Sequence, residues 1–364
     1  MEYRINGRTK DRISVIGLGT GPLFEAKEEE AMQLLETAYQ KGINYVDLAT
    51  AGAKTFSYIG NAFSSVRDKM LYQVHFGANY ETGEYGWTTK LDTVKAQIDW
   101  QLKSLKTEYI DYGFIHCLDE ESDWLDYQRK GVLDYLLKMK KQGVVHRIGL
   151  SSHTPKLAKE IIETGLVDQL MFSINPGYDM QYGEYANGNL SERMSLYQLC
   201  ATKGVGISVM KPFSAGQLLN AKTSPFKQAL SIYQCIQYAL DMPGVLTVLP
   251  GIGNLKDLEE ILRFFDVDPS EKDYSILGKL IPEKTTGVCV YCNHCQPCPA
   301  GLNIGLINKY YDLAKAHDPM AKEHYLNLDK KASDCIGCAH CDKRCPFHVK
   351  QMDRMKEIAD YFHE

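Results

Sequence analysis

The stretch KEEEAMQLLETAYQKGINYVDLA, residues 27–49, holds one full period of the architecture. Lys27 to Gly42 form an amphipathic helical pattern, and Ile43 to Ala49 form a short apolar run containing an aspartate, as expected of a buried strand. The same alternation extends in both directions. Candidate strands are ISVIGLGT (13–20), INYVDLA (43–49), MLYQVHFG (70–77), YIDYGFIH (109–116), HRIGLSS (146–152), DQLMFSINP (168–176), VGISVMKPF (205–213) and GVLTVLPGI (244–252). Helical patterns such as KLDTVKAQIDWQLKSL (90–105) and KGVLDYLLKMKKQG (130–143) lie between them and close on basic residues or glycine. Eight mostly apolar strands, each followed by a helix, predict an α/β (β/α)8 TIM barrel. A doubly wound sheet is the runner-up, but no GxGxxG opens a helix after the first strand; GLGTGP at 17–22 lacks the spacing.

The chain has 364 residues, enough for one such barrel and an appendage. Hydrophobic residues make up 44% and charged residues 24%, so a sizeable core is expected and disorder is not. The net charge of -5 has no basic run behind it, which argues against nucleic acid as a partner. No apolar run reaches the roughly 18 residues of a membrane span, and MEYRINGRTKDR lacks the apolar core of a signal peptide. A cytoplasmic protein without membrane attachment is expected. There, eleven cysteines point to metal instead of disulfides.

Cys117, Cys200 and Cys235 stand alone among apolar neighbours and read as buried structural thiols. The other eight form two runs: Cys289, Cys292, Cys295 and Cys298 before Pro299, and Cys335, Cys338, Cys341 and Cys345 before Pro346. Two-residue spacing turns three thiolates into one cavity, and C-x2-C-x2-C-x3-C-P is the run found in bacterial two-cluster ferredoxins, where the fourth cysteine ligates the other cluster. Two 4Fe-4S clusters are the expectation, held by Cys289, Cys292, Cys295 with Cys345 and by Cys335, Cys338, Cys341 with Cys298. The first run departs from the pattern with two residues, not three, before its last cysteine. Zinc, which also accepts four thiolates, is the alternative. Between the runs, LINKYYDLAKAHDP reads as a helix ending near Asp318 and Pro319. The expected division is a barrel over 1–280 and a mainly α-helical, ferredoxin-like two-cluster domain over 281–364.

Barrel chemistry gathers at the C-terminal strand ends. Those positions are Gly19, Thr20, Asp47, His75, His116, Ser151, Ser152, His153, Asn175, Lys211 and Gly251. One strand-end histidine reads as a satisfied structural group, whereas five ionisable groups on one rim read as a site. RISVIGLGTG, GINYVDLATA, YIDYGFIHCLD, GVVHRIGLSSH, VMKPFSAGQLL and VLPGIGNLKDLEEIL resemble, in order, the landmarks of the aldo/keto reductases, and the cysteine-rich tail resembles their 4Fe-4S subgroup. That resemblance implies a catalytic aspartate, tyrosine, lysine and histidine. Asp47 matches the aspartate and His116 the histidine, but Gly52 stands at the tyrosine position and His75 at the lysine position. His75 partnered by Asp47 is a candidate acid, and Lys211 a candidate cation for an anionic substrate or an oxyanion. Lys54, Tyr58 and His153 are outlying candidates.

For a cofactor, LPGIGNLKDLEE places Gly251, Gly253, Asn254 and Lys256 at a helix N-terminus after the last strand, where barrels hold phosphate. By the resemblance, Ser151, Asn175, Met210 and Lys211 would face a nicotinamide, with Met210 where the family has a stacking aromatic. NADPH, a flavin and no nucleotide all stay open. The leading expectation is an iron-sulfur oxidoreductase that relays electrons between the clusters and a small-molecule substrate or cofactor at the rim, with a ferredoxin or other redox protein as partner. A non-catalytic electron carrier on a degenerate barrel, and NADPH-dependent carbonyl reduction with structural clusters, are the alternatives. The long loops YETGEYGWTTK and NPGYDMQYGEYANGN are expected to cover the site.

Overall fold

The computed structural model describes residues 1–279, 287–316, 318 and 321–363. Eight parallel strands, β1 (Leu18–Gly19), β2 (Tyr45–Asp47), β3 (Leu71–Phe76), β4 (Ile110–Ile115), β5 (Val145–Ser152), β6 (Gln169–Ser173), β7 (Gly206–Met210) and β8 (Val245–Val248), pair in chain order. Each falls inside an expected strand, except that β5 begins one residue earlier, at Val145. Ile16 bridges Val248 and Gly19 bridges Gly251, both parallel, which closes the sheet into a barrel. The closure needs glycine, because a Cβ on Gly19 would sit 2.5 Å from the Pro250 carbonyl oxygen.

The first strand is shorter than expected. Arg12–Ser14 pairs antiparallel with Tyr3–Ile5 in a hairpin, so only Leu18–Gly19 joins β2. Below the strands the loop of this hairpin sends buried Asn6 to the Gln169 side chain at 3.2 Å. Helix α1 (Glu28–Gln40) shows why the amphipathic segments cover the sheet: Ala31, Leu34, Leu35 and Ala38 share its buried face, and three glutamates in its first turn suit the helix dipole.

After the barrel come helices Ile304–Lys315, Ala321–Leu326, His340–Arg344 and Gln351–Phe362. They bury an apolar cluster of their own, with Leu302, Ile307, Tyr311, Tyr325, Met355 and Ile358. The helix expected to end near Asp318 stops at Lys315; Pro319 and the expected domain boundary at 280/281 lie outside the described residues. Several contacts fix this region to the barrel. Lys309 donates to the Asp241 carbonyl at 2.6 Å, and Val290, Tyr291, Cys345 and Phe347 join the barrel's own apolar core. No helix among the described residues is long and apolar enough to cross a membrane.

Candidate active site and cysteine clusters

A cavity of about 670 Å³ opens at the C-terminal ends of the barrel strands. Its walls include Tyr85, His116, Cys117, His153, Tyr185 and Lys211, with Ser151, Met171 and Met210 on its floor and side. That volume is in the range of a small-molecule site.

One chain of hydrogen bonds leads from the barrel interior to this cavity. Asp47 Oδ1 lies 2.8 Å from His75 Nε2, His75 Nδ1 lies 2.9 Å from His116 Nδ1, and His116 Nε2 lies 2.7 Å from Tyr85 Oη. Gln73 donates to the same Asp47 oxygen at 2.9 Å, and Gln73 is itself held by Tyr45 and Ser208. His75 is fully buried and His116 nearly so. Burial, then His75 and His153, hold the His116 ring well below the usual imidazole range, so it stays neutral. Burial, then Cys117 and Asp47, raise the Tyr85 phenol, so it stays protonated.

Across the cavity a second group forms. His153 Nδ1 lies 2.9 Å from Asp119, its Nε2 accepts from the Lys211 ammonium at 3.1 Å, and Lys211 also sits 4.0 Å over the Tyr185 ring. Burial lowers Lys211, opposed by Cys117, Asp119 and Asp47. Cys117 lies within this group, against the expectation of a structural thiol among apolar neighbours. It takes φ 52° at the end of β4, lines the cavity, and is pushed up to about 11 by burial and by Asp119. Cys200 and Cys235 are buried in the core as expected.

The structure therefore brings together His75, His116, Asp47, Ser151, Met210 and Lys211. Asn175 is different: it is fully buried, accepts from the Tyr178 amide and donates to the Lys211 carbonyl at 2.9 Å, so it holds Lys211's backbone instead of facing the cavity. Gly251, Gly253, Asn254 and Lys256 also lie off the cavity wall. Asn254 caps the helix Leu255–Leu262, and the Asp257 carboxylate accepts from the Gly253 amide and the Asn254 side chain, each at 3.0 Å. Pro22 packs close on Gly251 and Gly253. An internal carboxylate thus engages the Gly253 amide, one of the groups a phosphate would use at this helix N-terminus, in this conformation. Lys54 donates to the Ala26 carbonyl and Tyr58 is buried in the core, so neither reaches the site, whereas His153 does.

Tyr85, Asp119 and Tyr185 are site residues that no strand-end pattern marks. The only signal for the two tyrosines is their place in the two long aromatic loops. Tyr85 is held because its amide donates to the Ala51 carbonyl at 3.0 Å and Glu84 bridges Gly52. Gly52 itself lies under Phe24, whose ring atom would be 2.8 Å from a Cβ there. Trp87 Nε1 then ties the loop to the His116 carbonyl at 3.2 Å.

The cysteines sort into two groups across the two runs. Cys298, Cys335, Cys338 and Cys341 line one small cavity with Leu302, Ile304 and Met355. Cys345, from the second run, is near enough to act electrostatically on Cys292 and Cys295, which burial pushes up to about 11 and about 12. Cys289 stands beside both of those thiols, and Cys341 is near Cys295, so the groups adjoin. Cys338 is exposed, next to Ile336 at 67% exposure.

A closed eight-stranded parallel barrel with a titratable cavity at its C-terminal rim defines a (β/α)8 enzyme class. The chain belongs to the aldo/keto reductase family, whose pattern matches residues 15–230, and it is an oxidoreductase of that type. It is similar to the uncharacterized oxidoreductase YqkF of Bacillus subtilis, 25% identical over 288 residues, 72% of this chain and 90% of that one. It is also similar to the L-glyceraldehyde 3-phosphate reductase of Escherichia coli, 22% identical over 60% of this chain and 63% of that one. Among solved structures, an aldo-keto reductase of Bacillus halodurans in its holo form superposes with a TM-score of 0.63 at 20% identity, over 78% of this chain and 97% of that one, which bears on the fold.

Proposed function

We propose that this oxidoreductase is an iron-sulfur enzyme in which two 4Fe-4S clusters exchange electrons with a small molecule bound in the rim cavity. The observation that carries the reading is the crossed grouping of thiols: Cys298 lines one cavity with the first three cysteines of the second run, and Cys345 stands near Cys292 and Cys295 of the first. The donor set suits the group, since four soft thiols beside apolar side chains favour iron-sulfur or zinc over harder cations. Bound there, the clusters supply single-electron transfer.

The chain's own residues distinguish an inner from an outer thiol group. Cys289, Cys292 and Cys345 pack on the barrel core, while Cys338 and Ile336 face outward. The outer group is therefore the docking side for a ferredoxin or other redox protein, and the inner group is the one held against the barrel. At the rim Lys211 supplies a partly buried cation for an anionic substituent of the substrate. No step is routed through a nucleotide phosphate at 251–256, where Asp257 already sits.

Anaerobic purification with iron, sulfide and zinc analysis tests the reading. About eight iron and eight sulfide per chain are expected for two such clusters. Stoichiometric zinc without iron after anaerobic isolation would overturn it.

A further inference from the structure

With both imidazoles neutral, the hydrogen-bond chain has one consistent set of donors, and that set fixes what its outermost group does. The Asp47 carboxylate can only accept, so the hydrogen bond at 2.8 Å requires the proton on His75 Nε2. A neutral His75 then presents a bare Nδ1, which must accept from His116 Nδ1 at 2.9 Å. A neutral His116 with its proton on Nδ1 presents a bare Nε2, which must accept from Tyr85 Oη at 2.7 Å. All three bonds point inward from the cavity to the carboxylate.

We propose that Tyr85 is the acid/base residue of this oxidoreductase and that His116, His75 and Asp47 form the relay that takes up or returns its proton. Tyr85 comes from the loop after β3, which a backbone bridge between Glu84 and Gly52 holds beside the cavity. Tyr85 is 43% exposed and lines the cavity, while its hydroxyl is fixed on His116. His75 and Asp47 touch no substrate; they position and charge-balance the relay.

Oxidising a secondary alcohol to a ketone breaks one O–H and one C–H bond. The hydroxyl proton passes to the Tyr85 oxygen as the Tyr85 proton moves to His116 Nε2 and the His116 Nδ1 proton moves to His75. The positive charge then rests on His75 against Asp47, which is the one place in the chain with a carboxylate to offset it. The carbon-bound hydrogen leaves with both electrons for a hydride acceptor of the nicotinamide or flavin class. Reduction of a ketone or aldehyde runs the same transfers backward. This inference rests on the oxidoreductase class and not on the clusters, so a zinc-loaded protein would leave it standing.

The test uses the full-length, metal-loaded protein labelled with 15N-histidine, assigned with a His116→Asn variant. Long-range proton-nitrogen spectra are expected to show His116 protonated on Nδ1 and His75 on Nε2. In Tyr85→Phe, the His116 Nε2 resonance should move toward that of an unbonded ring nitrogen, with His75 unchanged. A His116 protonated on Nε2, or no change in Tyr85→Phe, would overturn the relay. Glyceraldehyde, with NADPH or with reduced methyl viologen as donor, gives the kinetic check: Tyr85→Phe should lower kcat by about 10²–10⁴-fold with little change in KM. An unchanged kcat overturns the assignment, and if this probe is not turned over the spectra still decide.

Discussion

The Lys211 ammonium lies 3.1 Å from His153 Nε2, and the other nitrogen of that ring is engaged by Asp119 at 2.9 Å. This pins a cation to the wall of the cavity opposite Tyr85 and His116, with its backbone fixed by Asn175. A ligand with an oxygen at Tyr85 and an anionic group a few bonds away would meet both walls.

Small hydroxycarboxylates should therefore raise the melting temperature of the protein more than their neutral amides do. Lys211→Met should weaken the carboxylates by roughly tenfold, about 1.4 kcal/mol, and leave the amides alone. Equal loss for both series would remove Lys211 from anion recognition.

The crossed thiol groups give the second prediction. Cys345→Ala and Cys298→Ala should each retain about four iron per chain, with the cluster of the opposite run lost in each case. The remaining cluster also differs in exposure: the one kept in Cys298→Ala lies against the barrel core, and the one kept in Cys345→Ala includes exposed Cys338. Chelator in the presence of air should strip iron faster from Cys345→Ala. Equal rates would argue against the inner and outer arrangement.

Lys309 joins the C-terminal region to the barrel through the Asp241 carbonyl. Burial lowers its ammonium from 10.5 to about 8, with Asp241 opposing and Arg4 adding to the effect. Between those values the unfolded chain binds the extra proton, so the Lys309 contribution to stability rises with pH across that window. At ~1.4 kcal/mol per pH unit the rise is about 3 kcal/mol. Lys309→Met removes the titration. Wild-type stability minus that of the variant, from denaturant midpoints at pH 7.5 and pH 10, should increase by most of that amount; a flat difference would refute it.

Gly52 marks where a tyrosine would stand by family resemblance, and Phe24 occupies the space beside it. Gly52→Ala should destabilise by ~1–3 kcal/mol through overpacking, and adding Phe24→Ala should recover most of that loss. Thermal unfolding of the two variants settles the point. Purely additive losses would mean that Phe24 is not the obstacle.

Asp47, His75, His116 and Lys211 were legible because each ends a strand, and strand ends in a closed parallel barrel must share one rim. The cysteine runs were legible because two-residue spacing constrains where three thiols can point. Tyr85 was not, since nothing in YETGEYGWTTK distinguishes Tyr85 from Tyr80, which the structure buries under Thr50 instead. Cys117 read as core because its neighbours in sequence are apolar, yet the positive φ at that residue turns it into the cavity.

The sequence by itself determined the barrel, because period and strand count leave few ways to bury eight apolar runs, and it determined which cysteines travel together. Tertiary structure alone decided the donors and acceptors of the site. The glycines after β8 had the composition of a phosphate loop, but Asp257 folds back onto the Gly253 amide. The Tyr85 hydroxyl reaches His116 only because a backbone bridge between Gly52 and Glu84 brings two separate loops together. Such contacts depend on distances of about 3 Å between residues far apart in the chain, and local patterns of residue type carry no record of them.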